Sequence, residues 1–204
     1  MSPALPALKR VGRALRDDVI RIRKKVLFEA GLEALSGHAA KLPLTYRFGT
    51  YAEIAALTPA LHEYDEEAKR LAWERLQVGD QVVLGDYQRQ VVFYGWLMFG
   101  AIEVGHRRWL RTSPQRVYSY KLFTTEPFRG NGALPGFYAF IAPTLAAQGY
   151  RQIACWISQG NRASVRSHER CGFSPSGSAY EVRLLSRSVY LLSRTTRRRL
   201  CRDA

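Results

Sequence analysis

Thr124-Thr125-Glu126-Pro127-Phe128-Arg129-Gly130-Asn131-Gly132-Ala133-Leu134 is the stretch from which the fold is read. Before it, residues 117–124 are β-branched and aromatic, as in a strand. After it, residues 132–148 read as a helix closed by Gly149. A strand, a glycine-bearing loop and a helix start together form a cradle for an anion. Glycine lets the backbone come close, and the first-turn N–H groups have no acceptor inside the helix. Arg129 adds a positive charge. The loop lacks the spacing of a Walker loop or a dinucleotide fingerprint, and alone it is no more than a turn suited to anions.

A second stretch gives it a context. After an apolar strand at residues 152–157 comes Asn161-Arg162-Ala163-Ser164-Val165-Arg166-Ser167-His168-Glu169-Arg170-Cys171-Gly172-Phe173. Asn161 fits an N-cap whose side chain also faces a ligand, and Gly172 fits the position just past a helix end.

Working outward, residues 44–48 alternate as a first strand. Residues 51–57 and 64–76 read as helices, with Pro59 between them and Gly79-Asp80 after them. Residues 81–84, 90–99, 101–110 and 117–124 read as strands of an antiparallel meander. Residues 180–185 read as a further strand, and 186–204 as a strand or helix running into a basic tail. The expected class is α/β, with a mixed central sheet of six to seven strands flanked by helices.

Residues 5–30 read as a basic amphipathic helix, with Leu8, Val11, Leu15, Val19, Ile22 and Val26 on one stripe. The 204 residues carry a net charge of +14; residues 1–25 hold +6 of it and residues 187–204 hold +5. The charge therefore describes what the two ends touch. Three readings of the helix stand open: packing within the protein or a homodimer, an anionic membrane surface, or an acidic partner such as nucleic acid. The basic residues lack interleaved aromatics, so base readout is not indicated. No apolar run reaches transmembrane length. The three cysteines show no metal-ligand spacing with the four histidines, and no metal is expected. So sparse and odd a count fits a reducing, cytoplasmic setting, with Cys155 and Cys171 as buried thiols.

The Arg129-Gly130-Asn131-Gly132 loop, followed by a helix, a strand and the Asn161–Phe173 stretch quoted above, resembles the two signature motifs of the GCN5-related N-acetyltransferase (GNAT) superfamily. The resemblance is close over residues 115–185 and extends to element order over 44–114. The chain then divides into three parts: a basic amphipathic helix over 1–36 and a basic tail over 187–204, both outside the resemblance, and a GNAT domain over 44–186 between them. The resemblance implies acetyl-CoA or another acyl-CoA as co-substrate and a small-molecule primary amine as acceptor. The backbone of Leu122, Phe123 and Thr124 would pair with the pantetheine arm. Arg129, Gly130, Asn131 and Gly132, with Ala133 and Leu134 opening the helix, would surround the pyrophosphate. Asn161 would contact the cofactor arm, assisted by Ser164. Two positions depart from the pattern. Leu134 stands where the family has Gly or Ala, and His168 where it often has the tyrosine that protonates the leaving thiolate.

His168 is read either as that proton donor or as a packing residue; its ordinary pKa of about 6.5 is low for an acid at neutral pH. Candidates for accepting the amine proton are Tyr120, Glu126, Tyr118 and Glu103, the tyrosines being first of all pocket walls. Lys121, in a strand beside the cofactor site, is unusual. Trp96, Trp109 and Trp156 read as core or pocket lining. Three functional classes follow: an N-acyltransferase acting on a small or envelope-linked amine; one docked to a large anion such as tRNA, the ribosome or an acyl carrier protein; and a binding module without catalysis. The expected location is cytoplasmic, with attachment at the inner membrane face as a variant.

Overall fold

Val26-Leu27-Phe28 decides the middle of the molecule. In the computed structural model, which describes residues 20–35, 41–57, 66–104, 107–184 and 187–201, Ile20–Gly31 is a strand, β1. The helix expected over residues 5–30 is thus corrected from residue 20 onward, and its earlier part lies outside the described residues. The reason is burial. Val26 and Phe28 belong to the hydrophobic cluster on one face of the sheet and Leu27 to that on the other. Strand alternation buries all three, whereas the helical stripe leaves Leu27 and Phe28 off it.

The remaining strands are β2 (Thr45–Phe48), β3 (Gln81–Tyr87), β4 (Gln90–Phe99), β5 (Ala101–Val104), β6 (Arg107–Arg111), β7 (Arg116–Thr124), β8 (Gln152–Ser158), β9 (Ser174–Leu184) and β10 (Arg187–Leu192). The helices are α1 (Tyr51–Ala55), α2 (Glu66–Gln77), α3 (Ala133–Ala147), α4 (Arg162–Arg170) and α5 (Arg194–Cys201). Eight strands form one sheet in the order β10-β9-β1-β8-β7-β4-β3-β2. The sheet is mixed, as expected, and larger by the strands at the two ends of the chain. The core therefore reaches beyond residues 44–186: β1 lies inside the sheet and β10 at its edge. The strand expected over 101–110 is a separate hairpin of β5 and β6.

All neighbouring strands of the large sheet are antiparallel except β7 and β8, which are parallel and joined through α3. One face packs Phe137, Tyr138, Ile141 and Leu145 of α3 against Phe28, Phe93, Leu97, Val117, Ile153 and Ile157. The other packs Ile54 of α1 and Ala72 of α2 against Leu27, Val82, Leu84, Trp96, Tyr118 and Tyr120. Arg116, 4 % exposed, ties three strands together: its Nη2 lies 3.3 Å from Glu29 Oε1 on β1 and donates to Gln152 Oε1 on β8 at 3.1 Å. Cys155 and Cys171 are free and buried, and burial raises both thiols, Cys171 to about 11. They are core residues.

Gly172 follows α4 with φ +92°, and a Cβ there would run into the backbone carbonyl of Ala34. Gly172→Ala is expected to destabilise the protein by about 2 kcal/mol through left-handed strain and that contact, measured by urea unfolding.

Candidate active site

β7 and β8 pair through three positions only, Arg116–Gln152, Val117–Ile153 and Tyr118–Ala154. Beyond them the strands part. Cys155, Trp156, Ile157 and Ser158 continue along β1; Phe123 and Thr124 continue along β4. Between the two arms, the edge of β7 from Ser119 to Thr124 pairs with no strand among the described residues. Its backbone donors and acceptors face the opening.

Two features keep the arms apart in a defined way. The Ser119 hydroxyl donates to the Ala154 carbonyl across the parting point at 3.4 Å and lies 3.1 Å from the Tyr138 hydroxyl of α3. With the serine hydrogen committed, Tyr138 is the donor. Tyr138 is fully buried, and burial raises its pKa further. Second, β7 bulges. Trp96 pairs with Tyr120 and Tyr94 with Phe123, so Lys121 and Leu122 together face Gly95. Lys121 takes φ +48°, the strained position that the sequence marked only as unusual. A Cβ on Gly95 would stand 2.6 Å from Leu122 Cδ2 and 3.1 Å from Phe137 Cε2. Gly95→Ala is therefore expected to lower stability by about 1–2 kcal/mol and to shift Leu122, seen as a lower melting temperature and altered amide shifts along β7.

The glycine loop closes one end of the opening. Thr125 donates from its N–H to the Val92 carbonyl at 2.9 Å, fixing the loop to β4. A 3-10 turn at Glu126–Phe128 follows, and its Glu126 side chain is exposed. Gly130 and Gly132 have φ of +77° and +85°, and Gly132 is the N-cap of α3. The N–H groups of Gly130, Asn131, Gly132, Ala133 and Leu134 have no acceptor among the described residues, while Gly136 N–H already bonds the Gly132 carbonyl. A Cβ on Gly130 would touch nothing within 4 Å. These donors, with the helix dipole behind them, fit a diphosphate. Leu134 is half-buried and packs into the core beneath α3, so its size does not narrow the cradle.

The cradle is held from outside as well. The Tyr46 hydroxyl of β2 donates to the Ala133 carbonyl at 2.6 Å, its ring fills the space that a Cβ on Gly136 would need, and Lys41 N–H donates to the Asn131 carbonyl. Arg129 is exposed and folds back; its Nε donates to the Thr124 carbonyl at 3.1 Å and its guanidinium lies over the Phe123 ring. Asn131 Nδ2 donates to the Arg129 carbonyl.

On the β8 side, Asn161 caps α4, its Oδ1 accepting the Ser164 N–H at 3.1 Å. His168 is placed otherwise than a proton donor requires. It is 3 % exposed, and its Nδ1 donates to the Ser164 carbonyl at 2.8 Å. Its ring lies edge-on to Tyr138 and Phe173. Burial pushes its pKa down to about 4. At neutral pH its proton sits on Nδ1 and is already engaged; Nε2 is buried with no partner among the described residues and is a bare acceptor.

On the face toward α1 and α2, Tyr120 is buried and its hydroxyl donates to Asp80 Oδ2 at 2.6 Å. Tyr118 stacks on Tyr120 with ring centroids 5.7 Å apart, and the Arg75 guanidinium lies 5.4 Å from the Trp96 ring and 5.6 Å from the Tyr120 ring. Across the opening, the β8 arm brings Trp156, whose buried indole N–H has no partner among the described residues. Trp96 is core, and the side chains of Trp109 and Glu103 lie outside the described residues. The sequence reading missed Asp80, Arg75, Ser119 and Tyr138. Only Asp80 carried a signal, as an acid in the turn into β3.

No protein-family model matches the sequence, and no curated protein matches it. Solved structures do. An acetyltransferase of the GNAT family from Colwellia psychrerythraea superposes with a TM-score of 0.56 at 11 % identity, over 85 % of this chain and 59 % of that one. A GNAT-family acetyltransferase from Novosphingobium aromaticivorans gives 0.53 at 18 %, over 86 % and 67 %. AAC(6')-Iy, solved with the bisubstrate analogue CoA-S-monomethyl-acetylneamine, gives 0.51 at 16 %, over 74 % and 98 %. This chain thus spans less than two thirds of the Colwellia protein. At these identities the likeness is one of fold, and the chain has the fold of the GCN5-related N-acetyltransferases.

Proposed function

We propose that the protein transfers an acyl group from acyl-CoA to a primary amine by direct attack of the amine on the thioester. The observation that carries this reading is the parting of β7 and β8 just past Tyr118 and Ala154, with unbonded loop N–H groups at its end. A long, flexible donor with an anionic end and an amide-bearing arm suits such a slot. The N–H groups of residues 130–134 hold the diphosphate, with Arg129 beside it. The free edge of β7 around Leu122–Thr124 pairs with the amides of the arm, as a strand would. Asn161 and Ser164 meet the arm from the β8 side.

The thioester carbonyl then lies against the bulged part of β7, where backbone N–H groups stabilise the negative charge developing on its oxygen. The acceptor enters from the face of α1 and α2. Its nitrogen must be neutral to attack, and its proton must leave as the C–N bond forms and the C–S bond breaks. Tyr120 is the group for this proton: its oxygen accepts from the amine while its own hydrogen passes to Asp80. This replaces His168 in the proton chemistry and leaves it a packing role; Glu126 stays with the loop. The aromatic surroundings and the Trp156 N–H favour an acceptor with an apolar or ring-shaped body that also carries a hydrogen-bond acceptor. AAC(6')-Iy, solved with an analogue that joins CoA to acetylneamine, is in keeping with a polyfunctional amine of that kind.

The reading is tested by incubating the protein with acetyl-CoA and a panel of amino sugars, aminoglycosides, polyamines and amino-acid amines. Free thiol release and the mass of the acetylated amine are followed together. Amine-dependent release is expected; release that no amine accelerates would count against the reaction.

A further inference from the structure

Ile22, Tyr180, Val189 and Leu191 are 65, 45, 58 and 57 % exposed. They do not lie scattered. Ile22 pairs with Val182, which pairs with Val189; Lys24 pairs with Tyr180, which pairs with Leu191. Directly paired residues share a face, and so do residues two apart along a strand. These six residues therefore make two adjacent rows across β1, β9 and β10 on a single sheet face. The rows begin where the core stops, since Val26, next on that face of β1, packs against the cluster around α3. The opposite face of the same strands is covered: Ala179 is 1 % exposed, and Thr196 of α5 is buried with its hydroxyl bonded to the Ser178 backbone. One face of this sheet corner is thus closed and the other is apolar and open.

Basic side chains lie on the same side of the sheet as the rows. Lys24 sits within the rows. On α4, which belongs to the same side of the sheet, Arg162, Arg166 and Arg170 are exposed at intervals of four.

We propose that this face of β1, β9 and β10 docks on an anionic lipid bilayer. Exposed aliphatic and tyrosyl side chains enter the boundary between headgroups and acyl chains, while surrounding lysines and arginines hold anionic headgroups. A polyanion in free solution would engage the charge and leave the apolar rows unused. A second copy would bring two strongly basic corners together. The surface is separate from the acyl-transfer opening, and the proposal does not depend on that reaction.

The test is flotation of the full chain with vesicles of phosphatidylcholine, with and without phosphatidylglycerol. The protein is expected to float with phosphatidylglycerol vesicles, not with phosphatidylcholine alone, and less as salt is raised. Ile22→Ser combined with Leu191→Ser is expected to cut partitioning by roughly tenfold or more. Val78→Ser, at an exposed apolar residue elsewhere, is expected to leave it unchanged. Far-UV circular dichroism confirms that each variant is folded. Failure to float with anionic vesicles overturns the proposal, as does a folded Ile22/Leu191 variant that floats like the parent. So does a stable dimer in light scattering that the double variant dissolves, because a second copy then covers the face.

Discussion

Asp80→Asn is expected to lower amine acetylation by about 10²–10⁴-fold while leaving acetyl-CoA affinity within about twofold of the parent. The substitution keeps the size of the buried side chain and an oxygen to accept the Tyr120 hydroxyl, whose bond to Asp80 is 2.6 Å. It removes the basicity. An amide cannot take the proton that Tyr120 passes on, so the ammonium formed by attack keeps it and the addition reverses. Tyr120→Phe removes the relay at its other end and is expected to cost about the same. The double variant should be no worse than either single one, because the two groups act as one unit. The cradle for acyl-CoA lies at the other end of the opening, so its affinity reports that the fold is intact. Turnover within about threefold of the parent in Asp80→Asn would remove the pair from the mechanism.

Stability is expected to fall by about 3 kcal/mol as the pH is lowered from about 6.5 to about 4, and His168 is the cause. Its folded pKa is pushed down to about 4 from 6.5, first by burial; the bond to the Ser164 carbonyl only partly offsets this. Over that window the unfolded chain binds a proton that the folded chain refuses. Stability therefore rises with pH through it and is fully present above the unfolded value. A shift of this size corresponds to about 3 kcal/mol at about 1.4 kcal/mol per unit. Urea unfolding at intervals across the window measures it. His168→Gln, which does not titrate, is expected to flatten the profile, although it lowers stability at neutral pH. An unchanged slope in that variant would place the acid sensitivity on other groups.

The cradle was legible because its physics is local. Gly130 and Gly132 stand in sequence where a backbone must take positive φ and open its N–H groups, and Asn161 stands where a cap is needed. No distant contact is required to read them. β1 was not legible, because Ile22 and Val26 satisfy a helical stripe and a strand face equally well. What separates the two is the burial of Leu27 and Phe28 on opposite faces, and that depends on β8 and β9, more than a hundred residues away in the chain. Asp80 and Tyr120 are 40 residues apart and meet only because β3 and β7 flank β4. Ser119 and Tyr138 meet across the strand–helix crossover in the same way. His168 could be placed on a helix from sequence, but not its orientation. The same stretch that offers it to a ligand also offers it to Tyr138 and Phe173, and the apolar contacts win.

Calorimetric titration with acetyl-CoA of the parent, Gly130→Ala and Asn161→Ala tests the central claim most directly. Gly130 is the informative position: a methyl there meets no neighbour, and the left-handed strain it adds at φ +77° falls on the cradle itself. Saturable one-to-one binding is predicted for the parent, weakened about tenfold or more in both variants, each of which remains folded while losing about 1 kcal/mol, through left-handed strain at Gly130 and loss of the α4 cap at Asn161. Absence of binding to the parent, or equal affinity in folded Gly130→Ala and Asn161→Ala, would contradict the placement of acyl-CoA between β7 and β8.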